Sequence, residues 1–143
     1  MGNNWKITDT LTKVFADEVP DGQGSIRLST LHRETVSCVI AYFGVADWGR
    51  YWKVSVKAPE KIETRLRRVE LVPSAYPCHK EQDDNYLRIV PGMYPDLLRD
   101  LDTEDDGADK KYLTKEVPGQ WRSLWLDVTV DAELAGGDYA IVI

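Results

Sequence analysis

The stretch SLWLDVTV, residues 123–130, decides the fold. Every second residue of this stretch is apolar: Leu124, Leu126, Val128 and Val130. The residues between them are Trp125, Asp127 and Thr129. Successive side chains of a β-strand point to opposite faces, so this alternation predicts a strand with one face against a core.

Two further stretches extend the same pattern. TVSCVIAYF, residues 35–43, is apolar on both faces and predicts a central strand that is covered on both sides. YWKVSVKAP, residues 51–59, sets Trp52, Val54 and Val56 on one face and ends at Pro59, which predicts a hairpin partner.

The remaining strand predictions are less regular. They cover residues 5–8 (WKIT, a weak signal), 24–31 (GSIRLSTL), 62–73 (IETRLRRVELVP), 86–90 (YLRIV) and 137–143 (GDYAIVI). The parity change between Leu66 and Val69 indicates a bulge or a change of partner strand. About eight strands with little helix predict an all-β, antiparallel β-sandwich, jelly-roll or immunoglobulin-like. The only helix-like segment is DLLRDL, residues 96–101, and PGMYPDLLRD, residues 91–100, is predicted to be a rigid loop.

Length and charge limit the classes of function. The 143 residues predict one domain, 1–143, and the net charge of −6 argues against nucleic acid as a partner. Arg65, Arg67 and Arg68 are interpreted as a solvated strand face.

No apolar run is long enough to span a membrane, and the N-terminus lacks signal-peptide features. A cytoplasmic location is favoured, with secretion as the alternative if a leader has been removed. Because Ile143 lies inside a strand signal, we expect a domain cut from a longer chain.

Metal and redox chemistry find little support in the sequence, and no cofactor is predicted. Cys38 is expected to be a buried thiol, and a disulfide with Cys78 is the minor alternative. His32 and His79 stand in no zinc-binding spacing.

The acidic run DLDTEDDGADKK, residues 100–111, imitates half of a calcium loop through Asp102, Glu104, Asp106 and Gly107. The twelfth position of that loop falls on Leu113, which cannot bind the ion, so a solvated acidic loop is the favoured interpretation. The carboxylate pairs Asp105 with Asp106 and Asp83 with Asp84 match a glycosidase pair by residue type only.

Aromatic side chains offer one other binding chemistry. Of the five tryptophans, Trp48 in ADWGR and Trp121 after VPGQ are the candidates for stacking against a sugar. Trp52 and Trp125 are interpreted as core or inter-domain residues.

The motifs together resemble a known family. PGMYPDLLRD, followed by GQWRSLWLDVTVDAELAGGDYAIVI, is similar to the N-terminal β-sandwich domain of bacterial glycoside hydrolases of the family 123 type, which are N-acetylgalactosaminidase-like. The first motif falls on Pro91, Gly92, Tyr94, Pro95, Asp96 and Leu98. The second motif falls on Trp125, and its glutamine, Gln120, is displaced from the family position. The third motif falls on Ala135, on Gly136 or Gly137, and on Tyr139. Glu34 matches a further segment in which His32, Arg33 and Val39 depart from the family pattern, and LTKVFADEVP resembles the start of the family domain.

The resemblance implies a non-catalytic accessory domain that packs against a downstream (β/α)₈ barrel, where the catalytic residues would lie. A barrel needs roughly 200 residues or more and does not fit in this chain. Tyr94 and Asp96 are then expected in an inter-domain or ligand-facing loop, where they are either held by hydrogen bonds within the domain or offered to the neighbouring barrel. An autonomous carbohydrate-binding module and a structural interaction domain without a ligand are the alternatives.

Overall fold

In a computed structural model the chain forms two antiparallel sheets, which confirms the predicted all-β sandwich. The structure describes residues 4–45, 51–76, 86–105 and 110–143. The strands are β1 Trp5–Thr8, β2 Thr35–Phe43, β3 Tyr51–Ser55, β4 Ile62–Ser74, β5 Gly92–Asp100, β6 Asp102–Asp105, β7 Lys110–Lys115 and β8 Trp121–Val130. Within those ranges no helix is assigned, and so none has the length or the apolar character to cross a bilayer.

The large sheet has the strand order β1-β2-β8-β4-β5, and the small sheet has the order β3-β7-β6. β8 is the middle strand of the large sheet, between β2 and β4, with Leu126 opposite Cys38 on one side and Leu66 on the other. All the pairings between the named strands are antiparallel. The predicted central position of 35–43 is confirmed, because β2 pairs with a neighbour on each side.

The main core lies between the two sheets. Leu124, Leu126 and Val128 of β8 are buried there, on the face that the alternation predicted. The small sheet closes the core from the other side with the partly buried Trp52 and with Tyr112, and the rings of Tyr42 and Trp52 lie 5.3 Å apart.

The outer face of the large sheet is covered at one end by residues 9–20, which we call the N-terminal strap. Its side chains Val14 and Phe15 are buried, and Val14 packs with Val39, Ala41 and Trp121 in a second apolar cluster. The backbone N–H of Trp121 donates to the carbonyl of Ala16 at 2.9 Å. The strap therefore explains why β2 is apolar on both faces.

The prediction for PGMYPDLLRD as a loop, and for DLLRDL as a helix, is wrong. Nine of these residues form β5, which pairs with β4 from Gly92 opposite Ser74 to Asp100 opposite Arg67. β5 is an edge strand of its sheet. Because an edge strand needs hydrogen bonds on one side only, it tolerates Pro95, whose missing N–H suggested a loop.

Three predicted strands are absent from the described residues. Residues 24–31 run without a sheet partner after a single bridge between Ile7 and Gln23, and the side chains of Ile26 and Leu28 are exposed. Residues 86–90 form no strand. The C-terminal segment 137–143 makes one isolated bridge, between Lys57 and Val142, instead of a strand. Alternation predicts which face a strand buries, but a strand forms only where a neighbour accepts its hydrogen bonds.

The acidic run and the arginine cluster also differ from their predictions. Asp102–Asp105 forms strand β6, paired with β7, so this part of the run is not a loop, while Asp106 and Gly107 lie outside the described residues. Only Arg65 of the three arginines is exposed, and Arg67 and Arg68 are half-buried in ion pairs. The register shift lies further along than predicted, opposite Glu70 and Leu71, and the extra residue belongs to β5 and not to β4.

Candidate functional site

A β-bulge places Asp96 in an unusual position on β5. Leu71 of β4 lies opposite Pro95, and its neighbour Glu70 lies opposite Leu97, so Asp96 is an extra residue without a partner on β4. Bulges redirect a side chain away from the regular pleat and recur next to binding sites. The Asp96 side chain is exposed.

Asp96 lies at the edge of a small cavity on the outer face of the large sheet, which we call the outer cavity. It has a volume of about 110 Å³ and lies where the strap, β5 and β8 meet. Buried Val14, Val39 and Ser123 contribute to its lining, together with the half-buried indole of Trp125. Its remaining lining residues are Thr10, Thr12, Lys13, Val69, Pro95 and Leu98. The cavity is large enough for one aliphatic side chain and has both apolar and polar walls.

A carboxylate network holds the Trp125 side chain in place. Asp127 accepts hydrogen bonds from the Ser37 hydroxyl at 2.6 Å, from the Trp125 indole N–H at 2.7 Å and from the Arg67 guanidinium at 2.5 Å. Burial alone would raise the pKa of Asp127. The three donors outweigh burial and hold this pKa below its usual value. Asp127 is therefore an ionised cross-link between β2, β8 and β4.

Tyr94 is held within the domain. Its hydroxyl donates to the carbonyl oxygens of Arg88 and Val90, and its ring meets Phe15 edge-on at 5.7 Å between centroids. The Arg88 guanidinium lies 3.9 Å from the centroid of the Phe15 ring and forms ion pairs with Asp17 and Glu18 of the strap. These contacts fix the strap against β5 and the segment before it.

The same segment exposes a run of large apolar side chains, which we call the apolar strip. Leu87, Ile89, Val90 and Met93 are exposed, as is Leu97 beyond the bulge. Leu87 is 71% exposed and its fellow members are 45% to 56% exposed. Isolated exposed apolar residues are ordinary, whereas five exposed apolar residues here fall within eleven consecutive positions, 87–97. Contiguous apolar surface of this kind marks interaction sites.

The structure brings together some of the residues that the sequence singled out and separates others. Asp96 lies at the outer cavity with Pro95, Leu98 and Trp125, four positions of the two motifs that carry the family resemblance. Trp121 is only 7% exposed and packs against Phe43, so it offers no face for a sugar, contrary to the prediction. Trp48, Cys78, His79, Asp83 and Asp84 lie outside the described residues, and the side chain of Asp105 is not described.

Sequence reasoning missed the strap as one wall of the cavity. Lys13 donates from its ammonium group to the carbonyl of Pro95 at 3.4 Å, across 82 positions of the chain. The only local signal was the short apolar run Val14–Ala16 between Lys13 and Asp17, which does not reveal the partner surface.

A second concave region lies at the opposite end of the large sheet, and we call it the far groove. It is open, with a volume of about 730 Å³, and is framed by the chain entering β2, the chain entering β4 and the chain leaving β8. Its lining residues are Arg33, Lys61, Ile62, Glu63, Thr129, Val130, Asp131, Ala132 and Glu133. The two surfaces lie at opposite ends of β8, from Ser123 to Val130, or roughly 23 Å apart along the strand.

Within the described residues no group of three or more histidine, cysteine or acidic side chains is arranged to hold a metal ion. Leu113, at the position of the last calcium ligand, pairs with Asp102 across β6 and β7.

No protein-family model matches the chain, and no curated protein matches it.

Proposed function

We propose that this chain is a non-catalytic accessory domain that packs against a catalytic domain of the same protein, and that the apolar strip together with the outer cavity is the contact surface. The family resemblance implies that the neighbouring domain is the (β/α)₈ barrel of a glycoside hydrolase. The exposed apolar strip is the observation that carries the docking proposal.

Burial of the strip would supply the driving force. Each large apolar side chain removed from water contributes on the order of 1–2 kcal/mol, so five such side chains give a substantial contact. Water-exposed strips of this kind are costly in an isolated domain and are ordinary at inter-domain contacts.

The features of β5 favour docking through side chains over addition of another strand. Pro95 has no N–H to donate, and the bulge at Asp96 interrupts the regular edge. Both devices protect an edge strand from pairing with a foreign strand. The contacts of Tyr94, Phe15 and Arg88 hold the surface rigid, so little conformational entropy is lost on docking.

Asp96 and the outer cavity would give the contact its specificity. No described group forms a hydrogen bond or an ion pair with the Asp96 carboxylate, which leaves it free to accept from a donor on the neighbour. The cavity beside it accepts an apolar side chain, whose insertion would fix the register of the two domains.

The test uses the full product of the gene. Leu97→Lys places a charge in the strip, and Leu31→Lys is the matched control, because Leu31 is equally apolar, is 72% exposed and lies outside the strip. We expect Leu97→Lys to split or lower the thermal unfolding transition of the full protein, measured by calorimetry, and Leu31→Lys to leave it unchanged. Neither substitution should alter the unfolding of the 143-residue domain alone.

Equal behaviour of the two variants in the full protein would contradict docking through the strip. A gene that encodes no catalytic domain beside this one would contradict the accessory role itself.

A further inference from the structure

We infer that the far groove is a binding site for a neutral ligand rich in hydroxyl groups, a carbohydrate in chemical terms. This inference rests on the geometry and charge of the groove and does not depend on the docking proposal, because the groove lies at the other end of the large sheet.

The backbone of the groove is firmly held. The N–H of Arg33 donates to the carbonyl of Val130 at 2.8 Å, and the N–H of Asp131 donates to the carbonyl of Lys61 at 3.0 Å. These two bonds tie the entries to β2 and β4 to the end of β8. The groove is therefore a rigid frame made of three connections, the type of position at which folds commonly place binding residues.

Two residues of this frame adopt a backbone conformation that non-glycine residues rarely use. Arg33 has φ 64° and Lys61 has φ 69°, and these are the only two non-glycine residues with positive φ in the described ranges. Such conformations cost energy and persist where the surroundings enforce them, often beside ligands. Both side chains line the groove.

The charges of the groove favour a neutral ligand over an ion. Lys61 pairs with Glu133 at 3.2 Å, and the remaining charged lining residues are Arg33, Glu63 and Asp131. The carboxylates of Glu63 and Asp131 outnumber the single guanidinium of Arg33, so the groove repels a phosphate. The positive charge of Arg33 in turn repels a metal cation. A hydroxyl group both donates and accepts, so it can satisfy carboxylate oxygens and guanidinium N–H groups at once.

The floor of the groove complements the same ligand class. Ile62 and Val130, which are paired across β4 and β8, and Ala132 supply apolar surface between the charged groups. Sugar rings present both C–H faces and hydroxyl edges, and this alternation matches the lining. Because none of the described residues that line the groove is aromatic, their side chains supply no stacking. We expect a dissociation constant in the millimolar range, about −4 kcal/mol of binding free energy.

The experiment is a titration of the isotope-labelled 143-residue domain with galactose, N-acetylgalactosamine and maltose, followed through the backbone amide NMR signals. We expect saturable shifts at the amides of Arg33, Lys61, Glu63 and Asp131 with at least one sugar. Sodium phosphate and calcium chloride serve as charged probes and should leave these signals unchanged.

Two variants locate the site. Arg33→Gly removes the guanidinium while keeping a residue that accepts positive φ without strain, and it should weaken sugar binding about tenfold, or roughly 1.4 kcal/mol. Glu60→Gln is the control, because Glu60 is exposed, carries the same charge as Glu63 and lies outside the lining; it should leave binding unchanged.

Three outcomes would overturn the inference: no saturable shift with any of the sugars, shifts with phosphate or calcium in place of the sugars, or equal binding by wild type and Arg33→Gly. None of these outcomes tests the apolar strip. If sugar binding to the far groove is refuted, the docking proposal is still decided by the calorimetry of Leu97→Lys and Leu31→Lys.

Discussion

The indole N–H of Trp125 donates to the Oδ1 atom of Asp127 at 2.7 Å, between two residues that lie on the same outer face of β8. The same oxygen accepts from Ser37 on β2, and the other carboxylate oxygen accepts from Arg67 on β4. One carboxylate thus joins the three central strands and fixes the tryptophan that lines the outer cavity. This relationship connects the stability of the sheet with the shape of the candidate site.

Asp127→Asn should lower the free energy of unfolding by about 1–3 kcal/mol, because a half-buried guanidinium loses its charged partner. The control is Asp100→Asn, which breaks the Arg65–Asp100 pair. Those two side chains are 60% and 74% exposed, against 21% and 16% for Arg67 and Asp127, so a loss of about 0–1 kcal/mol is expected there. Urea unfolding at neutral pH measures both, and similar losses would refute the role of Asp127.

The stability of the domain should fall in acid through the same group. The pKa of Asp127 is lower in the folded state than in the unfolded state, so its contribution is complete above the unfolded pKa of about 3.9 and is lost as the pH falls through the lower folded value. Unfolding free energies measured below about pH 5 should decline less steeply in Asp127→Asn than in the wild type. Parallel pH profiles would contradict this assignment.

Tyr94 and Asp96 should behave differently although they are close neighbours. Tyr94→Phe removes a hydroxyl that bonds to two backbone carbonyls and should destabilise the isolated domain by about 1 kcal/mol. Asp96→Asn removes a charge that makes no described contact, and should change stability by less than about 0.5 kcal/mol. Thermal unfolding of the isolated domain distinguishes them, and a large effect of Asp96→Asn would show an internal role for this carboxylate.

Gly44 should tolerate no side chain. A Cβ atom at this position would lie 2.2 Å from the carbonyl oxygen of Val117, where a parallel bridge joins Gly44 to Pro118. Because the obstacle is backbone, Gly44→Ala should cost about 1–3 kcal/mol or more. Gly92→Ala at the start of β5 is the matched control, since its added Cβ meets no atom within 4 Å. Unfolding of both variants at the wild-type temperature would contradict the close approach of Gly44 to Val117.

Cys38 should be inert in the native protein. It is a free thiol on β2, and burial raises its pKa to about 11, so almost none is present as the reactive thiolate at pH 8. After brief iodoacetamide treatment, peptide mapping by mass spectrometry should find the Cys38 peptide unmodified, and modified once urea has unfolded the chain. Rapid alkylation of Cys38 without urea would contradict its burial.

The strands that the sequence predicted well are those whose pattern is local and strong. β8 alternates from Leu124 to Val130, and β2 is apolar on both faces over most of its length. β2 lies inside its sheet, as predicted, and β8 contains the strand that was predicted over 123–130. β5 was missed because Pro95 and Gly92 suggest a turn. Only the position of β5 at the edge, with one side free of hydrogen bonds, makes proline acceptable there.

For the candidate surfaces as well, the sequence pointed to single residues, and only the fold decided which residues lie together. Asp96 was singled out from its motif, but no sequence pattern indicates that it belongs to a bulge or lines a cavity. That cavity requires Lys13 of the strap, Asp96 of β5 and Trp125 of β8, which are far apart in the chain. The far groove was not predicted, because its residues come from three parts of the chain that are distant in sequence: the turns before β2 and β4 with the start of β4, and the end of β8 with the turn after it.

By itself, the sequence determined the class of fold and the faces of its central strands, because side-chain alternation and apolar content are local properties that every residue carries with it. The tertiary structure alone decided which segments obtained strand partners, which arginines left the solvent, and where the concave surfaces lie. Those outcomes depend on hydrogen bonds and packing between residues distant in the chain, such as Lys13 with Pro95 and Arg67 with Asp127, and no local pattern specifies such partners.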